Sequence, residues 1–166
     1  MTELSTDPLT LAHVAITLIA IFSGFVVLNQ MRASILSGGW TGIFLLTSVL
    51  TSVTGFVFFH PPGFTPAQGT GVVALLVLGP TLYGLYAKRL AGSWRAIYVI
   101  GAVISLYLNV FVLVVQSFLK AAALQALAGN PPAGPVFGAV QGIVLIAFII
   151  AGWRSVKRFH PSGALT

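Results

Sequence analysis

The 166-residue chain is 57% hydrophobic and only 6% charged, with a mean hydropathy of +1.02, whereas a water-soluble domain carries roughly 25% charged residues. That balance excludes an ordinary soluble globule, and the absence of cysteine excludes disulfide frameworks, thiolate metal sites and cysteine nucleophiles. The formal net charge of +6 does not point to nucleic acid, because the Lys and Arg residues flank long apolar blocks, as they do at the ends of membrane spans.

Glu3 and Asp7 make the N-terminus acidic, and no basic flank of a secretory signal precedes the first apolar block. That block is therefore expected to stay in the mature protein. It runs near 9–31, long enough for the ~30 Å hydrocarbon core of a bilayer. His13 and Thr17 share one of its faces, Ser23 and Gln30 another.

A Ser-Gly-Gly turn leads to a second expected span near 40–59. Here Thr47, Thr51 and Thr54 share a face at i, i+4 and i+7, with Ser48 and Ser52 on a neighbouring one. Threonine hydroxyls in such helices usually return to the carbonyl four residues back. Their clustering nevertheless makes this helix the expected partner of the polar face on the fourth span. His60-Pro61-Pro62-Gly63 closes the segment, and Thr65-Pro66 opens the third, expected near 70–86. This third span is short and interrupted by Gly79-Pro80, so a kinked helix, a broken helix and a re-entrant segment all remain open.

The fourth span is expected near 96–119, after Ser93 and Trp94. Along it Tyr98, Ser105, Asn109, Gln116 and Lys120 fall within roughly 60° of one another at about 100° per residue. Unsatisfied amides are costly in hydrocarbon, so this seam should face the bundle or water. It reads either as interhelical hydrogen bonding or as a pocket for a ligand, ion or cofactor. Residues 121–129, with Leu124 and Leu127 beside Gln125, read as a continuation of the fourth helix along the outer surface. Asn130-Pro131-Pro132 precedes the fifth span near 136–153, where Gly134, Gly138 and Gly142 form a small-residue ridge with Gln141 beside it. Such a ridge lets a neighbouring helix approach closely.

Arg32, then Lys88, Arg89 and Arg95, then Arg154, Lys157 and Arg158 fall on alternate connections. By the positive-inside rule that side is cytoplasmic, which puts the N-terminus outside and the C-terminus inside. Trp40, Trp94, Trp153, Tyr86 and Phe159 lie near the expected ends, as interfacial aromatics do. The expected fold is an all-α polytopic transmembrane bundle of about five spans in one domain, 1–166.

Little in the chain suggests catalysis. Both carboxylates, Glu3 and Asp7, sit in the N-terminal tail, whereas intramembrane acid–base chemistry usually needs an embedded Asp, Glu or His. Phosphate-cradling loops, dinucleotide glycine patterns and a Gly-x-Ser-x-Gly elbow are missing. His13 and His60 are both expected toward the outer face and could ligate a haem iron or another metal. No anionic ligand accompanies them, so no metal and no cofactor is the primary expectation, with haem or quinone the alternative.

The stretches Ser-Leu-Tyr-Leu-Asn-Val-Phe-Val-Leu-Val-Val-Gln-Ser-Phe-Leu-Lys at 105–120 and Leu-Thr-Ser-Val-Leu-Thr-Ser-Val-Thr-Gly-Phe at 46–56 resemble those of small bacterial integral membrane proteins without an assigned activity. The resemblance implies residence in a bacterial inner membrane and carries over no functional residue.

Two functions follow as expectations. The first is a non-enzymatic inner-membrane protein that acts by binding, as a partner subunit or a self-associated oligomer, with the bilayer as its other partner. The second is a ligand-handling protein whose outward-facing pocket, built from His13, Thr47, Thr51, Asn109, Gln116 and Lys120, takes a quinone, a haem or a small solute.

Overall fold

The computed structural model describes residues 7–57, 63, 65–129 and 131–161. Among them the chain is all-α, with no strand. The helices are α1 Pro8–Arg32, α2 Gly38–Val57, α3 Pro66–Leu82, α4 Trp94–Lys120, α5 Ala122–Ala128 and α6 Pro135–Arg158. Five helical segments are long and apolar enough to cross a membrane, the third running through a π-helical turn at Tyr83–Ala87.

Local chemistry fixes where these helices start. Asp7 caps α1, accepting from Thr10 N at 3.2 Å and Thr10 Oγ1 at 3.3 Å, with Pro8 in the first turn. Thr65 and Gln68 form a reciprocal capping box on α3: Gln68 N donates to Thr65 Oγ1 at 3.2 Å and Thr65 N to Gln68 Oε1 at 2.9 Å. That box satisfies two backbone donors that a helix start leaves orphaned. It also starts α3 four residues earlier than apolar content alone suggests.

With the π-helical turn, α3 covers the 22 residues Pro66–Ala87, roughly 33 Å at the ordinary helical rise and enough to cross the hydrocarbon core. Pro80 lies inside this helix, which continues past it. The ladder widens three residues later, where Lys88 N bonds Tyr83 O at 3.0 Å, five residues back. Of the readings left open for this span, neither the broken helix nor the re-entrant segment is observed: the helix is continuous.

The segment after α4 is also corrected. Ala121 adopts an extended conformation (φ −87°, ψ 113°), so α5 is a separate short helix and not an extension of α4. The Gln125 side-chain amide donates to the Leu119 carbonyl across the break.

The most buried of the spans is α4, and the least buried is α6. Helix α1 packs on α2, α2 on α3 and α3 on α4, while α6 covers α4 and part of α1. Gly24 and Gly101 permit the closest approaches. A Cβ on Gly24 would stand 2.6 Å from Leu106 Cδ1, and one on Gly101 would collide with Thr81 Oγ1. The glycine ridge on α6 behaves differently. A Cβ at Gly138 or Gly142 meets nothing within 4 Å, so the expected close approach of a neighbouring helix does not occur there within the described chain.

The core occupies one half of the bundle. Val27, Leu28 and Met31 from α1, Phe44 and Leu45 from α2, Leu78 and Leu85 from the third span, and Tyr98, Val99 and Leu106 from α4 are all buried together. At this end Arg95 donates through Nη1 to the carbonyls of Val156 at 2.9 Å and Phe159 at 2.7 Å. It thus satisfies acceptors that the end of α6 would otherwise leave open. His160 N bonds Ser34 Oγ at 2.8 Å, tying the end of the described chain to the α1–α2 connection. In the other half, α1 has no buried residue before Ala20. There the helices surround a cavity.

Candidate functional site: a half-deep cavity among the first four spans

The cavity has a volume of about 850 Å³ and lies among the first half of α1, the second half of α2, the first half of α3 and the second half of α4. Small-molecule pockets occupy about 300–1,000 Å³. Along α4 it extends from Lys120 to Asn109, 11 residues or roughly 16 Å, about half of a ~30 Å hydrocarbon core. Below Asn109 the buried aromatic and aliphatic core closes the bundle.

Five of the six residues proposed for a pocket line this one: His13 from α1, Thr51 from α2, and Asn109, Gln116 and Lys120 from α4. Thr47 lies outside it. Its hydroxyl returns to the Ile43 carbonyl at 2.7 Å, because the half of α2 that carries it packs into the core. His60 lies outside the described residues, so the His13–His60 pair has no geometry here. Among the described residues no cluster of three His, Cys, Asp or Glu side chains forms.

The wall between α1 and α2 is a ladder of hydroxyls. Thr54 Oγ1 sits 2.7 Å from the Leu50 carbonyl, to which it donates. It can therefore accept from His13 Nδ1 at 2.8 Å, which assigns the ring proton to Nδ1. One turn deeper Thr17 Oγ1 donates to the His13 carbonyl at 2.8 Å and lies 3.4 Å from Thr51 Oγ1. The threonine face of α2 thus pairs with α1. Helix α2 is also the partner of the α4 seam, as expected, but through its other polar face.

That face carries the serines. Asn109 is buried and donates from Nδ2 to Ser48 Oγ at 3.2 Å. Ser52, also buried, returns its hydroxyl to the Ser48 carbonyl at 3.0 Å. The seam on α4 consequently divides by depth. Tyr98 and Ser105 belong to the core, Asn109 forms the floor, and Gln116 and Lys120 face the open cavity. Among the described residues neither Gln116 nor Lys120 makes a side-chain hydrogen bond or ion pair to protein.

The lining is amphipathic. Val14, Leu18, Phe56, Leu108 and Val112 supply apolar surface between the polar groups. Val14 and Leu18 are also exposed on α1, as Leu113 is on α4, so the cavity is open to the surface and not sealed. Gln68, Thr70 and Ser117 line it as well and were not anticipated as site residues. The Thr-Pro-Ala-Gln sequence that caps α3 is the signal that brings Gln68 to this end of the bundle. Gln141, on α6, bonds the Phe111 carbonyl at 3.3 Å and lies outside the cavity. Comparison with protein-family models, with curated proteins and with solved structures finds no match to this chain.

Proposed function

We propose that the chain is an inner-membrane binding protein that holds a small amphipathic molecule, of which a quinone is one example, in the cavity among α1–α4. The observation that carries this reading is the coexistence of about 850 Å³ of space with apolar walls, a polar ladder and Lys120 at the mouth. Interhelical packing accounts for Asn109, but leaves Gln116 and Lys120 without a protein partner among the described residues. A membrane pocket with a few convergent polar groups on a mainly apolar wall suits a ligand that is itself part polar and part apolar. The described side chains offer positioning of such a ligand.

The mouth is proposed to face the extracytoplasmic side. Arg32, Lys88, Arg89, Arg154, Lys157 and Arg158 lie toward the opposite end, which the Arg95 and His160 contacts tie together. The positive-inside rule assigns that end to the cytoplasm. Native mass spectrometry of the chain purified in mild detergent tests the binding reading. Mass consistent with a bound amphiphile should be present and should be lost in Val112→Trp, which fills the cavity. Identical spectra for the two proteins, each lacking bound amphiphile even when it is supplied, would reject it.

A second reading, a self-associated oligomer, is favoured by the open ridge at Gly138 and Gly142, where small residues permit helix contact between copies. A Gly138→Leu, Gly142→Leu variant should then shift from oligomer to monomer on size-exclusion chromatography with light scattering. A wild-type monomer at all concentrations contradicts it.

A further inference from the structure

We infer that the cavity selects an anionic amphiphile, whose carboxylate or phosphate head is held at the mouth by Lys120 and Gln116 while its hydrocarbon lies along Val14, Leu18, Leu108 and Val112. This rests on the reading of the cavity as an amphiphile site and adds the charge and orientation of the occupant.

The polar groups around the mouth are not equivalent. Thr17, Thr70 and Ser117 give their hydroxyl hydrogens to helix carbonyls at 2.8 Å, 3.0 Å and 2.8 Å respectively, so they offer an incoming molecule mainly acceptor lone pairs. Asn109 commits one Nδ2 hydrogen to Ser48 and lies at the floor, away from the mouth. At the mouth, among the described residues, the Gln116 amide and the Lys120 ammonium are donors without a protein partner, one helical turn apart on the same face of α4 and both on the cavity. Donors without partners select a head rich in acceptors.

Charge selects further. No Asp or Glu is among the described lining residues, and Asp7, the one acid among the described residues, is engaged with Thr10 as the cap of α1. A cationic head would meet Lys120 with no carboxylate to compensate. An anionic head gains a charge-assisted hydrogen bond, roughly twice as strong as a neutral one. The apolar side chains supply the direction. Leu108 and Val112 lie deeper on α4 than Gln116 and Lys120, facing Val14 and Leu18 across the same cavity, so the head sits at the mouth and the chain points toward Asn109.

The test compares four probes of similar chain length, palmitate, palmitoyl lysophosphatidate, hexadecanol and hexadecylamine, on the full chain in detergent at pH 7.5 by native mass spectrometry. Palmitate or lysophosphatidate should bind at least about tenfold tighter than hexadecanol, and hexadecylamine should bind most weakly. Retention of palmitate alone identifies a free carboxylate as the source of the head, and retention of lysophosphatidate alone identifies a phosphate-bearing lipid. Lys120→Gln should abolish the preference, bringing palmitate and lysophosphatidate binding down to within about twofold of hexadecanol, and Lys120→Arg should keep it. Binding of hexadecanol to the wild type as tight as that of both palmitate and lysophosphatidate, or a preference that survives Lys120→Gln, overturns the charge assignment while leaving an amphiphile site. If none of the four binds, the amphiphile site fails as well.

Discussion

Asn109 on α4 donates to Ser48 Oγ on α2 at 3.2 Å, joining two helices that otherwise touch little and forming the floor of the cavity. One polar face of α4 thereby does two things: Asn109 holds helices together, and Gln116 and Lys120, two and three turns further on, face open space.

Replacing Asn109 by Leu should lower stability by about 1 kcal/mol, within the range of interhelical hydrogen bonds in membrane proteins. Replacing Gln116 by Leu should leave stability within about 0.5 kcal/mol of wild type and weaken amphiphile binding. Unfolding in mixed micelles with increasing denaturing detergent measures the first effect, and native mass spectrometry the second. Equal destabilisation by both substitutions would show that the whole seam is packing.

Gly101→Ala should destabilise the bundle by about 1–3 kcal/mol, the usual cost of overpacking, because the new methyl group collides with Thr81. Adding Thr81→Ala removes the colliding hydroxyl and should recover part of the loss, although the remaining Cβ is still close at 3.1 Å. Gly142→Ala, which meets nothing within 4 Å, should cost nothing in the monomer. Thermal unfolding of the four proteins in one detergent separates these outcomes.

Arg95→Met should cost roughly 1.5–3 kcal/mol, the range for hydrogen bonds to a charged group, by leaving the Val156 and Phe159 carbonyls without their guanidinium donor. Phe159 is fully buried against Tyr98, so its release should also expose the segment after α6. Limited proteolysis should cut there faster in Arg95→Met than in wild type, with Arg95→Lys intermediate.

Much of the all-helical fold was legible because lipid imposes a simple rule: long apolar blocks punctuated by Gly, Pro and charge. The start of α3 was legible in the Thr65-Pro66 pair, whereas apolar content alone began the span at 70, because the Thr65–Gln68 capping box is a local hydrogen-bond device that hydropathy does not register. That α2 would partner the Asn109 seam was legible, but which of its two polar faces would do so was not. Which of two adjacent faces meets α1 and which meets α4 depends on how the helix is rotated in the bundle. The sequence fixes that rotation only through contacts such as His13–Thr54 and Asn109–Ser48. The cavity itself was legible as residue types at one end, but not as volume. Its space accompanies a first half of α1 that has no fully buried residue before Ala20, a consequence of packing that no periodicity reports.

The native chain has no cysteine, so single cysteines report topology cleanly. Ala123→Cys, exposed on α5, should react with a membrane-impermeant maleimide added to intact cells. Ala91→Cys, exposed in the α3–α4 connection, should react only after the membrane is opened. The reverse pattern would invert the orientation and turn the cavity toward the cytoplasm.

The central claim is that the cavity among α1–α4 holds an amphiphile, and a density map of the full chain extracted directly into native-lipid nanodiscs tests it most directly. Elongated non-protein density should run from Lys120 down to Asn109, with its head against Gln116 and Lys120. A cavity containing only water, or one closed by α1 moving against α4, would contradict it.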